Sequence, residues 1–168
     1  SLLSAADIKA NPWLIPVMGP AARLVTKMGG DFRWQHLPVP FEVYADGIDL
    51  VIFEEFGSGA AAMHLKEQVA ERNDLLRDEE YRRWFRKDYD SKYGLRVWHR
   101  DFFDAEIVEC PDKSVIGKSF GQVGIDRGGL HPVDAFLDLV VEHGSAVRWR
   151  TTISNHRPEV LKKMAREP

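Results

Sequence analysis

The stretch HPVDAFLDLVVEHGSAVRWRTTISNHRPEVLKKM, residues 131–164, reads as a helix, a strand and a second helix. His131-Pro132 starts the first helix, because proline is tolerated in a first turn where its missing N–H has no partner to lose. Val133, Phe136, Leu137, Val140 and Val141 form its apolar stripe, and Gly144 can close it. From Ala146 to Ile153 the pattern changes to strict alternation. Val147, Trp149, Thr151 and Ile153 face one way, and Arg148, Arg150 and Thr152 the other. Pro158 and Glu159 open a final helix carrying Val160, Leu161 and Met164. This order is the repeating unit of a parallel sheet, so the expected class is α/β (α+β in its local parts) and rich in helix. The rest of the chain offers few strands to pair with 146–153, and the unit is expected to be orphaned.

Upstream, Asp78 can cap a helix whose first turn carries Glu79 and Glu80. Tyr81, Trp84, Phe85 and Tyr89 recur at helical spacing, with Arg82, Arg83, Arg86 and Lys87 over the remaining surface, and Gly94 can end it. Ala105–Cys110 reads as a strand ended by Pro111. Gly57-Ser58-Gly59 opens a helix with Ala62, Leu65 and Val69 on one face. Phe41–Ala45 and Ile48–Phe53 flank Asp46-Gly47, a dipeptide suited to a tight hairpin turn, although the second arm is continuously apolar. Ser4 and Asp7 suggest a short capped helix stopping at Asn11-Pro12. Leu14–Met28 is interrupted by Pro16 and Pro20, with 23–26 a candidate strand, and Asp31–Pro40 reads as irregular. The expected organisation is one segment, 1–168, in three parts: 1–56 with a hairpin at 41–53, a helical insert at 57–116, and a helix–strand–helix unit at 117–168.

Composition excludes several classes. With 44% hydrophobic and 11% aromatic residues the chain can bury a core, which disordered sequences cannot. A formal charge of −3, from 23 basic and 26 acidic residues, opposes a dedicated nucleic-acid binder. Apolar runs fall well short of the ~18–20 residues that span a bilayer, so no membrane partner is expected. Ser1–Ser4 lacks the basic and apolar regions of a signal peptide. The single Cys110 excludes an internal disulfide and fits a reducing, cytoplasmic setting. Pro168 directly follows a helical pattern, as expected of a cut chain.

No complete catalytic centre emerges from spacing. The six histidines (36, 64, 99, 131, 143 and 156) form no HxH or HExxH, and Cys110 has no CxxC partner. Gly117-Lys118-Ser119 resembles the end of a phosphate loop, but Asp112 stands where the first glycine belongs. His99-Arg100-Asp101 resembles a kinase catalytic loop, yet Glu106 occupies the position of the magnesium-binding asparagine. Acidic Glu109 and Asp112 disfavour a Cys110 thiolate. Glu54/Glu55 and Asp101/Asp104 are carboxylate pairs of the kind used in acid–base work, and equally ordinary solvated charge. Arg148 and Arg150 either pair with acids on a covering helix or bind a ligand carboxylate. His156 lies just beyond the strand, where parallel α/β folds place ligands.

Gly117-Lys118-Ser119-Phe120, Val123, Arg127-Gly128 and Pro132-Val133-Asp134-Ala135-Phe136-Leu137-Asp138-Leu139 resemble a G-[RK]-[ST]-[LF]…R-G…P-x-D-A-[LF]-L-D-L pattern. That pattern belongs to the amidohydrolase superfamily, in the N-acyl-D-amino-acid deacylase branch. Leu76-Arg77-Asp78 and the helix after it are similar to that family's L-R-D-P-x-x-R insert, and 41–59 is similar to an uncharacterised subgroup. The resemblance runs from about Arg23 to Met164. It implies a late part, with the lid insertion, of a metal-dependent (β/α)8 barrel, about a third of a full-length member. The family's HxH pair, bridging cysteine, further histidines and last-strand aspartate map onto no residue here. The resemblance therefore implies zinc in the parent enzyme and none in this segment, with no catalytic or metal-ligating residue to carry over. The implied function is that of a fragment of a hydrolase of non-peptide C–N bonds acting on an N-acyl amino acid or related amide. Its partner would be the remainder of the barrel, or further copies of itself if isolated. Trp34, His36, Trp98, His156, Arg148 and Arg150 are the candidate pocket residues. The alternative is a free-standing, non-catalytic binding or oligomerisation module, and a small enzyme built on converged carboxylates is a third reading.

Overall fold

A computed structural model describes residues 2–30, 33–91, 93–94 and 96–166; the side chains of residues 2–5, 33, 34 and 36 are outside that description. The structure is mixed α/β and dominated by helix. It divides into two units, one formed by 1–42, 95–99 and 152–168, the other by 43–94 and 100–151.

The larger unit contains most of β3 (Phe41–Asp46), a 3-10 helix Val51–Glu55, and helices α2 (Gly57–His64), α3 (Val69–Arg77) and α4 (Glu79–Asp90). It continues through β4 (Glu106–Glu109), α5 (Phe120–Asp126) and α6 (Pro132–His143) into β5 (Arg148–Ser154). Asp78 caps α4 by accepting from the Tyr81 N–H at 2.7 Å, and His131 Nδ1 accepts from the Val133 N–H at 3.2 Å to start α6. Gly144 ends α6 at φ +59°, a conformation that costs other residues strain.

The sheet order is β3–β5–β4, with β4 antiparallel to β5. This corrects two expectations. The strand near 146–153 is not orphaned, since it lies between two neighbours, and its pairing with β4 is not that of a parallel sheet. Pairing joins Glu106 to Arg150 and Ile107 to Trp149. The predicted inward face holds: Val147, Trp149, Thr151 and Ile153 are all buried.

On the sheet sits an aromatic core. Phe136 of α6 stacks on Phe102 at 4.6 Å and meets Phe120 edge-on at 5.0 Å, with Phe53, Phe85 and Trp149 around it. Each such ring removes ~150–250 Å² from water, roughly 4–6 kcal/mol gross at ~25 cal/mol per Å². Trp149 satisfies its indole N–H by donating to the Gly47 carbonyl at 2.8 Å.

The expected hairpin at 41–53 is half present. The turn forms at Asp46-Gly47, with Gly47 at φ +60°, but the second arm is the 3-10 helix. Ile48, Ile52, Phe53 and Phe56 are buried while Val51 is exposed, so the apolar run buries a helical face rather than a strand face. The helix opened by Gly57 stops at His64, and Val69 begins α3 rather than extending it.

The smaller unit pairs β1 (Leu2–Ala5) with β2 (Arg33–His36) in parallel, so the capped helix expected from Ser4 and the irregular run expected at 31–40 are both corrected. Residues 31 and 32 lie outside the described set. α1 (Leu14–Lys27) is continuous, which removes the strand expected at 23–26. Pro16 sits in the first turn, where its lost N–H costs nothing, and the Pro20 ring is on the exposed side. α7 (Pro158–Met164) packs Leu161 and Met164 against Ile15 and Val160.

Candidate functional site

Among the described residues, a cleft of about 460 Å³ opens in the larger unit between the β3 turn, the start of α3 and the end of α6. Gly47 shapes it: a side chain there would place its Cβ 2.8 Å from the Gly144 carbonyl oxygen, so the turn approaches the α6 cap this closely only because position 47 lacks one. The Gly47 N–H donates to the Val147 carbonyl at 2.7 Å and ties that turn to the segment leading into β5.

Arg72 forms a buried part of the cleft wall, with 5% of its surface exposed. Arg72 and Leu76 are the buried residues of α3, one turn apart, so the guanidinium occupies an inward position of the helix. Its Nε and Nη2 donate to Asn73 Oδ1 at 3.2 and 2.9 Å, and Nη1 reaches the Lys66 carbonyl at 3.5 Å. Among the described residues, no carboxylate pairs with it. Burial alone pushes its pKa down from the ordinary guanidinium value, but arginine remains charged.

The acids of the cleft are mostly occupied elsewhere. Asp49 holds Lys66 at 2.7 Å, Asp46 faces Arg148 at 3.8 Å, and Glu142 faces Arg127 at 3.5 Å and His143 at 3.7 Å. That leaves Arg72 as a buried cation without a countercharge, and Glu67 as an exposed acid of the rim. The arrangement suits anion recognition by the guanidinium fork.

The candidates drawn from the sequence fall elsewhere. Arg150 binds Glu106 on β4 through Nη2 at 2.8 Å, and Arg148 lies near Asp46 and 5.8 Å from the Tyr44 ring centre. Both arginines meet acids, but from the strands and turn beside them rather than from a covering helix. Trp98 is fully buried and His156 is exposed, both in the smaller unit. The side chains of Trp34 and His36 lie outside the described ones. The turn bearing His156 is held by its neighbours: Asp7, fully buried, pairs with Arg157, and Asn155 at φ +62° bonds Asp7 and Leu37.

The rejected motifs have structural uses. Lys118 pairs with Asp126, Ser119 caps α5, and Asp101 accepts from the Phe103 N–H. Burial pushes the Cys110 thiol up and away from reactivity, although a hydrogen bond from the Asp112 backbone opposes that shift. Among the described residues no group of three or more His, Cys, Asp and Glu side chains is arranged to hold a metal ion. Among them, too, no helix is long and apolar enough to cross a membrane.

Arg72 escaped the sequence reading because it stands in Val69-Ala70-Glu71-Arg72-Asn73-Asp74, a run that reads as solvated charge. The four-residue spacing from Arg72 to Leu76 was the available signal.

No family model and no solved structure matches the chain. It is 56% identical over 171 residues to an uncharacterized protein of Mycobacterium bovis and to uncharacterized proteins of two strains of Mycobacterium tuberculosis. The alignment covers 100% of this chain and 28% of each of those proteins, so the chain spans under a third of the length of the relatives it matches.

Proposed function

We propose that this chain is a segment of a larger metal-dependent hydrolase of the N-acyl-D-amino-acid deacylase type, a (β/α)8 amidohydrolase. In this reading it shapes the lid and substrate pocket while the zinc ligands reside in other parts of the polypeptide. The supporting observation is how the two motif regions of the resemblance are joined. Asp134 and Asp138, the acidic positions of P-x-D-A-[LF]-L-D-L, receive Arg82 and Arg86 of the insert helix at 2.6–3.4 Å. These acids therefore hold α4 on α6 and are committed to scaffolding. The length of the mycobacterial relatives is compatible with the same reading. So is α1, which exposes Trp13, Val17, Leu24, Val25 and Met28 at its N-cap, along its length and at its C-cap, a surface that usually meets other protein. A single buried cysteine is in keeping with a cytoplasmic setting.

The test is hydrolysis of N-acyl amino acids of both configurations by the full-length protein, before and after chelation. Turnover that disappears with the metal and returns with zinc is expected. Failure to cleave any acyl amino acid would remove the reading.

A second reading, a non-catalytic module, draws on one observation: β5 is flanked on both sides and the larger unit closes its own aromatic core. It predicts that residues 1–168 alone unfold in one sharp calorimetric transition as a monomer. Broad melting or self-association would count against it.

A further inference from the structure

We propose that the Arg72 cleft is a binding site for a small monocarboxylate, received by the guanidinium fork. The inference does not depend on the hydrolase reading, because it follows from charge and burial within the larger unit alone.

A guanidinium with 5% exposure and no acidic partner among the described residues is an expensive feature to keep inside a fold. Its hydrogen bonds go to neutral oxygens, the Asn73 amide and the Lys66 carbonyl. These orient the head without neutralising it. Of the five N–H groups of an arginine, this leaves donors for an incoming oxygen pair. The cleft beside it, about 460 Å³, falls within the size range of small-molecule sites and adds Ile48, Val69 and Val141 as apolar contacts.

The charge of the ligand follows from the rim. Asp46, Asp49 and Glu142 each have a cationic partner, and Glu67 stands exposed. One buried positive charge awaits one negative charge. A phosphate dianion would bring a second negative charge with no cation of the cleft left to meet it, so a monocarboxylate is the favoured anion.

The experiment titrates the full-length protein with propionate, its neutral isostere propionamide, and inorganic phosphate, by ligand-observed NMR. Saturable propionate binding, about tenfold or more tighter than either of the others, is expected. Arg72→Met should abolish it. Since Arg72 is buried and its replacement puts the fold at risk, two surface variants carry the test independently. Ser145→Glu, at the exposed mouth, should weaken propionate binding several-fold, and Glu67→Gln should tighten it. Equal binding of propionate and propionamide, or propionate binding unmoved by all three substitutions, overturns the proposal. So does an absence of propionate binding up to about 100 mM, which would mean that a protein carboxylate already neutralises Arg72.

Discussion

Tyr89 shows how one buried group sets a pH limit. Its hydroxyl accepts the Phe102 N–H at 3.1 Å while its ring stacks on Phe102 at 5.3 Å. Burial, with Asp101 and Asp90 nearby, pushes its pKa up to about 12, although the Phe102 hydrogen bond opposes that shift. The unfolded value is near 10, so the folded state holds this proton more tightly. The resulting stabilisation is complete below about pH 10 and disappears as pH rises from there to about 12, a loss on the order of 2–3 kcal/mol. Denaturant melts from pH 8 to 12 should show that decline, and Tyr89→Phe should shift its midpoint to higher pH while costing about 1–2 kcal/mol at neutral pH through the abandoned Phe102 N–H. A variant with an unchanged alkaline limb would contradict the assignment. Gly47 makes a different demand. Its φ of +60° explains why the Asp46-Gly47 turn was legible in the sequence.

At the scale of elements, legibility followed local chemistry. Asp78 capping α4, proline starting α6, Gly144 ending it and the alternation of β5 all depend on neighbours within a few residues, and all were readable. The failures share a cause. The 48–53 run was apolar enough for either strand or helix, and only its place against Phe85, Phe136 and Trp149 decided which face it buried. Pro16 and Pro20 read as breaks, yet both lie on the exposed side of α1. Arg72 could not be recognised as a site from sequence, because its isolation from acids exists only once α3 and α6 meet. The α4–α6 contact yields a direct prediction. Asp134, with 14% of its side chain exposed, is shared by Arg82 and Arg86 at 3.4 and 2.8 Å. Asp134→Ala leaves two guanidinium groups facing Asp138 and Glu79 alone and should cost about 2–3 kcal/mol. Chemical denaturation checks this, and a loss below ~0.5 kcal/mol would mean that the pairs behave as solvated surface charge.

On the scale of the whole molecule, the two units differ in how much of their apolar surface they cover. The larger has an aromatic core, whereas α1 buries only Ala22 and leaves Leu24 59% and Met28 79% exposed. If that face is covered by other parts of a longer polypeptide, residues 1–168 produced alone should self-associate. Leu24→Glu with Met28→Glu should then restore a monomer in sedimentation. A wild-type segment that is already monomeric at high concentration would refute this. The central claim is that the reactive centre is built outside this segment. It is tested most directly by the zinc content of the full-length protein after separate replacement of Cys110 and of each of the six histidines, by alanine. The account predicts bound zinc, and a stoichiometry unchanged in every variant. Loss of the metal on replacing any one of them, in a protein that remains folded, would contradict it.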